Sequence, residues 1–164
     1  MKPFVFIIMF VGLIGCKPRN DNSQNLQNRI DSLERKIAEA YKPGFGEFMS
    51  NIQVHHNKLW FAGLNQNWKL AGFEVHEMIE AIDDIQKYQS ERKESLLTGM
   101  IMPELDSISA AVEQKNLSKF KKNYFTLTNT CNKCHQDVGF EFNVVKIPDN
   151  PPFSNQDFKH QKDE

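Results

Sequence analysis

Two cysteines and a histidine near the end of the chain have a spacing that suits covalent chemistry. Cys131, Cys134 and His135 form the run Cys-Asn-Lys-Cys-His. Side chains three positions apart lie close together on one turn of a helix, so both thiols can face one flat partner. The C-x-x-C-H spacing is that of haem attachment, in which the thiols bond to the two vinyl groups and the imidazole ligates the iron. The sequence predicts one haem c, bound through Cys131 and Cys134, with His135 as the proximal ligand.

Other uses of the Cys-x-x-Cys pair remain open. A thioredoxin-type pair opens a helix directly after a strand, whereas this pair lies well inside a helical pattern. A structural zinc site takes four ligands, and the chain has no further cysteine nearby. Such a site needs an unusual arrangement of the other histidines: His55, His56, His76 and His160. A buried cysteine pair without a function is the third alternative.

The remaining cysteine, Cys16, follows an apolar N-terminal segment. Residues 4–14 are apolar and follow one cation, Lys2. A run of 11 residues suits the centre of a secretory signal, whereas a spanning helix takes about 20. Its Leu-Ile-Gly-Cys end at 13–16 resembles a bacterial lipoprotein signal, which is cut before the cysteine and leaves it to be acylated. The alternatives are a plain signal peptide and a buried N-terminal strand.

A short helical stalk is expected next, within residues 16–42. Leu26, Ile30, Leu33 and Ile37 recur at spacings of 4, 3 and 4, which is a heptad pattern of about two heptads. So short a helix is marginal in water without a partner. It packs either on its own domain or on another copy of the chain through residues 26–37. Pro43, Gly44 and Gly46 end this segment.

The following segment, residues 43–147, has the periodicity of an all-α protein. Apolar residues repeat at helical spacing in four segments joined by short connections, which predicts a four-helix bundle. We expect helices from about Glu47 to Ala62, from Trp68 to about Tyr88, from near Pro103, and across Phe120 to Val138. Asn67 and Ser118 are the expected N-caps.

Two further segments are less regular. Residues 140–147 are the one stretch with some strand-like alternation. Residues 148–164 form a proline-rich polar tail, which we expect to wrap the surface with Phe153 and Phe158 as anchors.

The overall composition excludes some classes of protein. The chain has 164 residues, 40% of them hydrophobic, and a formal net charge of −1. This is ordinary globular composition, with enough apolar residues for one real core. Near-neutral charge argues against a nucleic-acid partner.

A helical bundle with C-x-x-C-H in its last helix resembles the class II c-type cytochromes, the cytochrome c-prime group. The resemblance covers about residues 45–140 and implies that the first bundle helix faces the distal side of the haem. Low-spin members place a methionine there, and high-spin members leave the sixth position open. Met49 is the matching residue on the inward face, and His56, two turns further on, is the second candidate. The alternatives are core roles for both side chains.

Glu74 is a carboxylate in the middle of an apolar helical face. It must be paired or neutralised, or else reach water at the rim of the bundle. We expect a hydrogen bond to His56, Trp60 or Trp68. His55 lies nearer the edge of its helix face, and Lys58 and His76 are expected to point to solvent.

These observations predict a non-enzymatic electron carrier. It is held by lipid on Cys16 at the periplasmic side of a bacterial membrane and passes electrons to a redox protein partner that the sequence does not identify. The alternative is a haem protein that binds or senses a gas at an open distal site. A non-haem stalked lipoprotein is a third, weaker possibility. In the first two cases no cysteine is left as a free thiol.

Overall fold

The computed structural model describes residues 21–40 and 43–159. Within them the chain is helical and contains no strand, as the sequence predicts. It divides between residues 41 and 42 into two compact units. The predicted signal segment at residues 1–15, its Cys16 and the final residues 160–164 lie outside the described residues.

The first unit contributes helix α1, Asp21–Ala40. The four apolar side chains of its heptad pattern are 46–70% exposed. A hydrogen bond from the Gln27 amide to the Asp31 carboxylate, 2.9 Å long and one turn apart, supports the helix on its polar side. The predicted stalk helix is therefore present, whereas the partner of its apolar face remains a prediction.

The second unit is a helical bundle. Its helices are α2 (Phe45–Leu64), α3 (Trp68–Tyr88), the short α4 (Ser95–Thr98), α5 (Met102–Glu113) and α6 (Leu117–Asp137). Helix α2 packs along α3, α3 contacts α5, α5 packs along α6, and α6 closes the bundle against α2. The four long helices correspond to the four predicted ones.

The helix starts follow from local capping. The Asn67 side chain accepts a hydrogen bond from the Leu70 amide at 3.2 Å, which confirms it as the N-cap of α3. Helix α6 begins two residues earlier than an N-cap at Ser118 would place it, so the prediction of Ser118 as its N-cap is wrong. Asn116 is the cap, because its backbone is extended and its side chain accepts from the Lys119 amide at 3.0 Å. Pro103 lies in the first turn of α5, as predicted.

The connection between α3 and α5 contains the short α4 and a 3-10 turn, Gly99–Ile101. The side chains of Ser95 and Thr98 are buried there. The Gln86 amide on α3 donates to the Ser95 carbonyl at 2.6 Å and to the Thr98 hydroxyl at 2.8 Å. Sequence periodicity missed α4, because four residues are too few for an apolar stripe and a side chain from another helix fixes them.

The bundle is closed at one end by an aromatic contact between α2 and α6. The ring of Phe120 is fully buried and packs beside Trp60 and Trp68. A Cβ placed on Gly63 would lie 2.1 Å from this ring, so only glycine fits there without a shift. The close approach of the two helices therefore depends on Gly63.

Residues 138–159 have no regular secondary structure, so the strand-like alternation at 140–147 does not form a strand. Phe158 is 5% exposed and packs against Phe61 at 5.8 Å between ring centroids, which confirms it as an anchor of the tail. Phe153 remains 42% exposed, with the Lys58 ammonium 5.4 Å from its ring centroid. It is thus a weaker anchor than Phe158.

Candidate functional site

The C-x-x-C-H residues lie in the last two turns of α6 and line one side of a cavity. Its volume is about 260 Å³, just below the range of roughly 300–1,000 Å³ found for small-ligand sites. Cys131, Cys134 and His135 all contribute to this wall. The spacing brings the three side chains to one surface because α6 remains helical through all of them.

Helix α2 forms the facing wall. Met49 and His56, the two predicted distal candidates, both line the same cavity as the motif residues. They lie seven positions apart, which is two turns of helix and therefore one face. All five predicted haem-site residues are thus gathered around one cavity. The other walls come from α3, the α4 region and the segment after α6, through Ile82, Thr98, Ile101, Phe140 and Val145.

The imidazole of His135 is oriented by the backbone of the segment that follows it. Its Nδ1 lies 2.5 Å from the carbonyl oxygen of Asn143. A carbonyl can only accept, so Nδ1 carries the proton and donates, and Nε2 of the neutral ring keeps its lone pair. Metal-binding histidines commonly donate their other ring nitrogen in this way, which fixes the tautomer and the ring plane.

Asn132, the first variable residue of the motif, holds the same segment in place. Its side-chain amide donates to the Val145 carbonyl at 2.8 Å, and its side-chain oxygen accepts from the Val145 amide at 2.7 Å. This paired contact fixes the chain two residues beyond Asn143. Sequence reasoning missed it, because the partner is a backbone group 13 residues away in an irregular segment.

The two thiols are not set up as reactive thiolates. Burial, and then the neighbouring Cys134, raise the pKa of the Cys131 thiol to about 12. Burial, followed by the charge of Asp137, also raises the pKa of Cys134. Catalytic and redox-active cysteines have a lowered pKa, so these environments weigh against the thioredoxin-type interpretation.

His56 is held in the wall of the cavity by two side chains of α6. Its Nε2 forms a hydrogen bond of 3.0 Å with the Thr128 hydroxyl, and its Nδ1 one of 3.0 Å with the Tyr124 hydroxyl. Burial lowers the pKa of His56 to about 4, so the ring is neutral near pH 7. Both ring nitrogens are therefore engaged, which favours a structural role for His56. The sequence contains one indication of these contacts. Tyr124 and Thr128, which both carry a hydroxyl group, lie four positions apart on the face of α6 that also carries Cys131.

Met49 differs from His56 in its surroundings. It is half-buried and packs against the core with its apolar side chain. The thioether has no strong polar partner to lose, whereas His56 would have to give up a hydrogen bond before it could bind a metal. Of the two predicted distal candidates, Met49 is therefore the one whose donor atom is not already engaged in a hydrogen bond.

Glu74 is paired, but not with the expected partners. The Nδ1 atom of His55 lies 2.6 Å from Oε2 of Glu74, which is fully buried, so the predicted bonds to His56, Trp60 or Trp68 are wrong. His55 is itself buried, because α3 packs along α2 and covers this side of the helix. The second carboxylate oxygen, Oε1, is buried without a hydrogen-bond partner.

Of the two side chains expected in solvent, only His76 is there, beside Glu80 on the outside of α3. Lys58 instead turns inwards. Its ammonium lies 4.0 Å from Oε1 of Glu74, because a buried carboxylate attracts the nearest cation. This cluster lies next in sequence to His56 but does not line the cavity.

In residues 21–40 and 43–159, no helix is long and apolar enough to cross a membrane. Over the same residues, no group of three or more His, Cys, Asp or Glu side chains is arranged to hold a metal ion.

Comparison with known proteins gave no match to a family model, to a curated protein or to a solved structure.

Proposed function

We propose that the chain is a monohaem c-type cytochrome that carries electrons at the periplasmic side of a bacterial membrane. The observation that carries this proposal is the position of His135. Its ring is fixed by the Asn143 carbonyl, and it lies with both motif cysteines on a cavity that Met49 lines from the facing helix. A C-x-x-C-H sequence without a function would not require this support.

The residues present fit a covalently held haem. Cys131 and Cys134 would each form a thioether bond, and His135 would bind the iron through Nε2 while Nδ1 remains on the carbonyl. When bound, haem c supplies a one-electron ferric–ferrous couple. Apolar side chains such as Ile52, Ile82 and Ile101 line the cavity and would keep water from the group.

Met49 is the proposed distal ligand. A thioether ligand stabilises the ferrous form and raises the reduction potential, which suits an electron carrier. A distal site without Met49 ligation would favour the gas-binding alternative. The two functions therefore differ at one side chain, and neither involves a chemical change to a substrate.

The membrane location rests on the N-terminal sequence alone. A lipid on Cys16 would tether the protein outside the cytoplasm, where thioether attachment and redox partners of this type are expected. The physiological partner would be another redox protein that binds transiently.

The test is expression of the full chain in a bacterium that matures c-type cytochromes, followed by haem staining on a denaturing gel. Only covalently bound haem stays with the band, so the wild type should stain and the Cys131→Ala/Cys134→Ala variant should not. An unstained wild-type band would refute the proposal. Ferric and ferrous absorption spectra, with carbon monoxide added to the reduced protein, then separate the two functions. A six-coordinate spectrum and slow binding support the carrier, and rapid complete binding supports the gas-binding alternative.

A further inference from the structure

The apolar stripe of helix α1 alternates leucine with the β-branched isoleucine. Its four large apolar residues are exposed and follow one another at spacings of 4, 3 and 4. In a heptad this places Ile30 and Ile37 at position a, and Leu26 and Leu33 at position d. A β-branched residue at a with leucine at d favours two parallel strands over trimers or tetramers.

The charged side chains that flank the stripe indicate the same orientation. Arg29 falls at position g, and Glu34 falls at position e of the next heptad. In a parallel, in-register pair, g of one helix faces e of the following heptad on its partner, so Arg29 meets Glu34 of the second copy, twice by symmetry. In an antiparallel pair g faces g, and two arginines would be brought together. Charge complementarity therefore favours the parallel pair.

We propose that α1 binds α1 of a second copy as a short parallel coiled coil, with Ile30, Leu33 and their neighbours in the seam. A helix of about two heptads is marginal alone, and a matched partner covers its apolar face. Two copies tethered near their N-termini to one membrane are held parallel and at high effective concentration. In this respect the inference rests on the proposed lipid anchor, but it does not depend on the haem.

The first test is disulfide cross-linking of the full chain in membranes. A Leu33→Cys variant places a thiol at d, where it meets its own counterpart, and the matched Arg35→Cys variant places one at the outward position f. On mild oxidation Leu33→Cys should give a band of twice the mass, and Arg35→Cys should give little. Equal cross-linking of both variants, or none of either, would overturn the proposal.

The second test reverses the charges in the Leu33→Cys background. Arg29→Glu places Glu against Glu at both flanking pairs and should therefore lower the cross-linked fraction. The expected decrease is only roughly fivefold, because an exposed ion pair contributes little to the free energy of association. The double swap Arg29→Glu/Glu34→Arg should restore it. If α1 instead packed on its own bundle, exchanging the two charges would not be expected to restore cross-linking between copies. Failure of the double swap to restore cross-linking would therefore count against the dimer.

The outcome can be separated from that of the proposed function. Membrane fractionation of the same samples reports the anchor, and haem staining reports the cofactor. Cross-linking of the purified full chain, concentrated to about 1 mM, reports pairing without the anchor. Position-specific cross-linking there supports the dimer whatever the other two measurements give, and its absence both there and in membranes refutes it.

Discussion

The Tyr124 hydroxyl lies 3.0 Å from Nδ1 of His56, and the two rings stack with their centroids 4.5 Å apart. The same hydroxyl donates to the His56 backbone carbonyl at 2.8 Å. This contact joins α2, which carries Met49, to α6, which carries the C-x-x-C-H motif. The spacing between the two walls of the candidate site is therefore fixed by a polar contact inside an apolar core.

The buried His56 makes stability depend on pH. Its pKa is about 4 in the folded protein against 6.5 in the unfolded chain, so the unfolded chain binds the proton more readily. The stabilisation is fully present above pH 6.5 and is lost as the pH falls towards 4. It amounts to about 3 kcal/mol.

Denaturant unfolding of His56→Gln between pH 7 and pH 4 should therefore show a smaller loss of stability than the wild type. The exposed His76→Gln is the matched control and should follow the wild type. Parallel curves for the wild type and His56→Gln would contradict this assignment.

Met49 should determine the distal coordination. Replacing it with leucine keeps the volume and removes the sulfur. If haem is bound as proposed, Met49→Leu should lose the six-coordinate ferric spectrum and bind carbon monoxide faster when reduced. Met78→Leu, at a fully buried core position away from the cavity, is the control and should leave both unchanged. Identical spectra for Met49→Leu and the wild type would exclude Met49 as a ligand.

Asn132 should act as a positioning residue for His135. Asn132→Ala removes both hydrogen bonds to the Val145 backbone, so the segment with the Asn143 carbonyl should become more mobile. Hydrogen exchange should report this directly, with faster exchange of the Val145 amide. Asn129→Ala, at an exposed position one turn earlier on α6, should leave that amide protected. Unchanged exchange in Asn132→Ala would show that other contacts hold the segment.

The pair between His55 and Glu74 should be important for stability. Removing one partner of a buried hydrogen-bonded pair leaves the other without its bond, which costs about 1–3 kcal/mol. Glu74→Ala should therefore lower the free energy of unfolding by roughly this amount. Glu77→Ala removes a partly exposed carboxylate 3.8 Å from the same ring and should cost less than about 1 kcal/mol. Similar losses in both variants would argue that the buried pair contributes no more than the surface contact.

The sequence was sufficient to predict the long helices, because each follows from periodicity within one helix. The same periodicity predicts the faces of α2 and α6 on which Met49, Cys131 and His135 lie, and these faces line one cavity; the role of the three residues in binding haem stays a prediction. The wrong predictions concern contacts between elements. The sequence predicts a bond from Glu74 to His56, Trp60 or Trp68, whereas the rotation of α3 against α2 pairs Glu74 with His55, one position away from His56. The Asn143 carbonyl lies in the irregular segment after α6, and Asn132 bonds to that same segment. An irregular segment has no sequence periodicity, so neither contact could be predicted.

Gly63 should be the least replaceable glycine of the bundle. A methyl group there would lie 2.1 Å from the Phe120 ring, which is itself enclosed by Trp60, Trp68 and Tyr124 and has little room to move. Overpacking of this kind costs about 1–3 kcal/mol, against a gain of up to about 1 kcal/mol in helix propensity. Gly63→Ala should therefore destabilise the protein in thermal or denaturant unfolding. Gly72→Ala, whose added methyl would meet only Val112 at 3.8 Å, is the matched control and should be neutral or stabilising. If Gly63→Ala were as stable as Gly72→Ala, the aromatic cluster would have to be able to rearrange, and the close approach of α2 and α6 would not depend on the glycine.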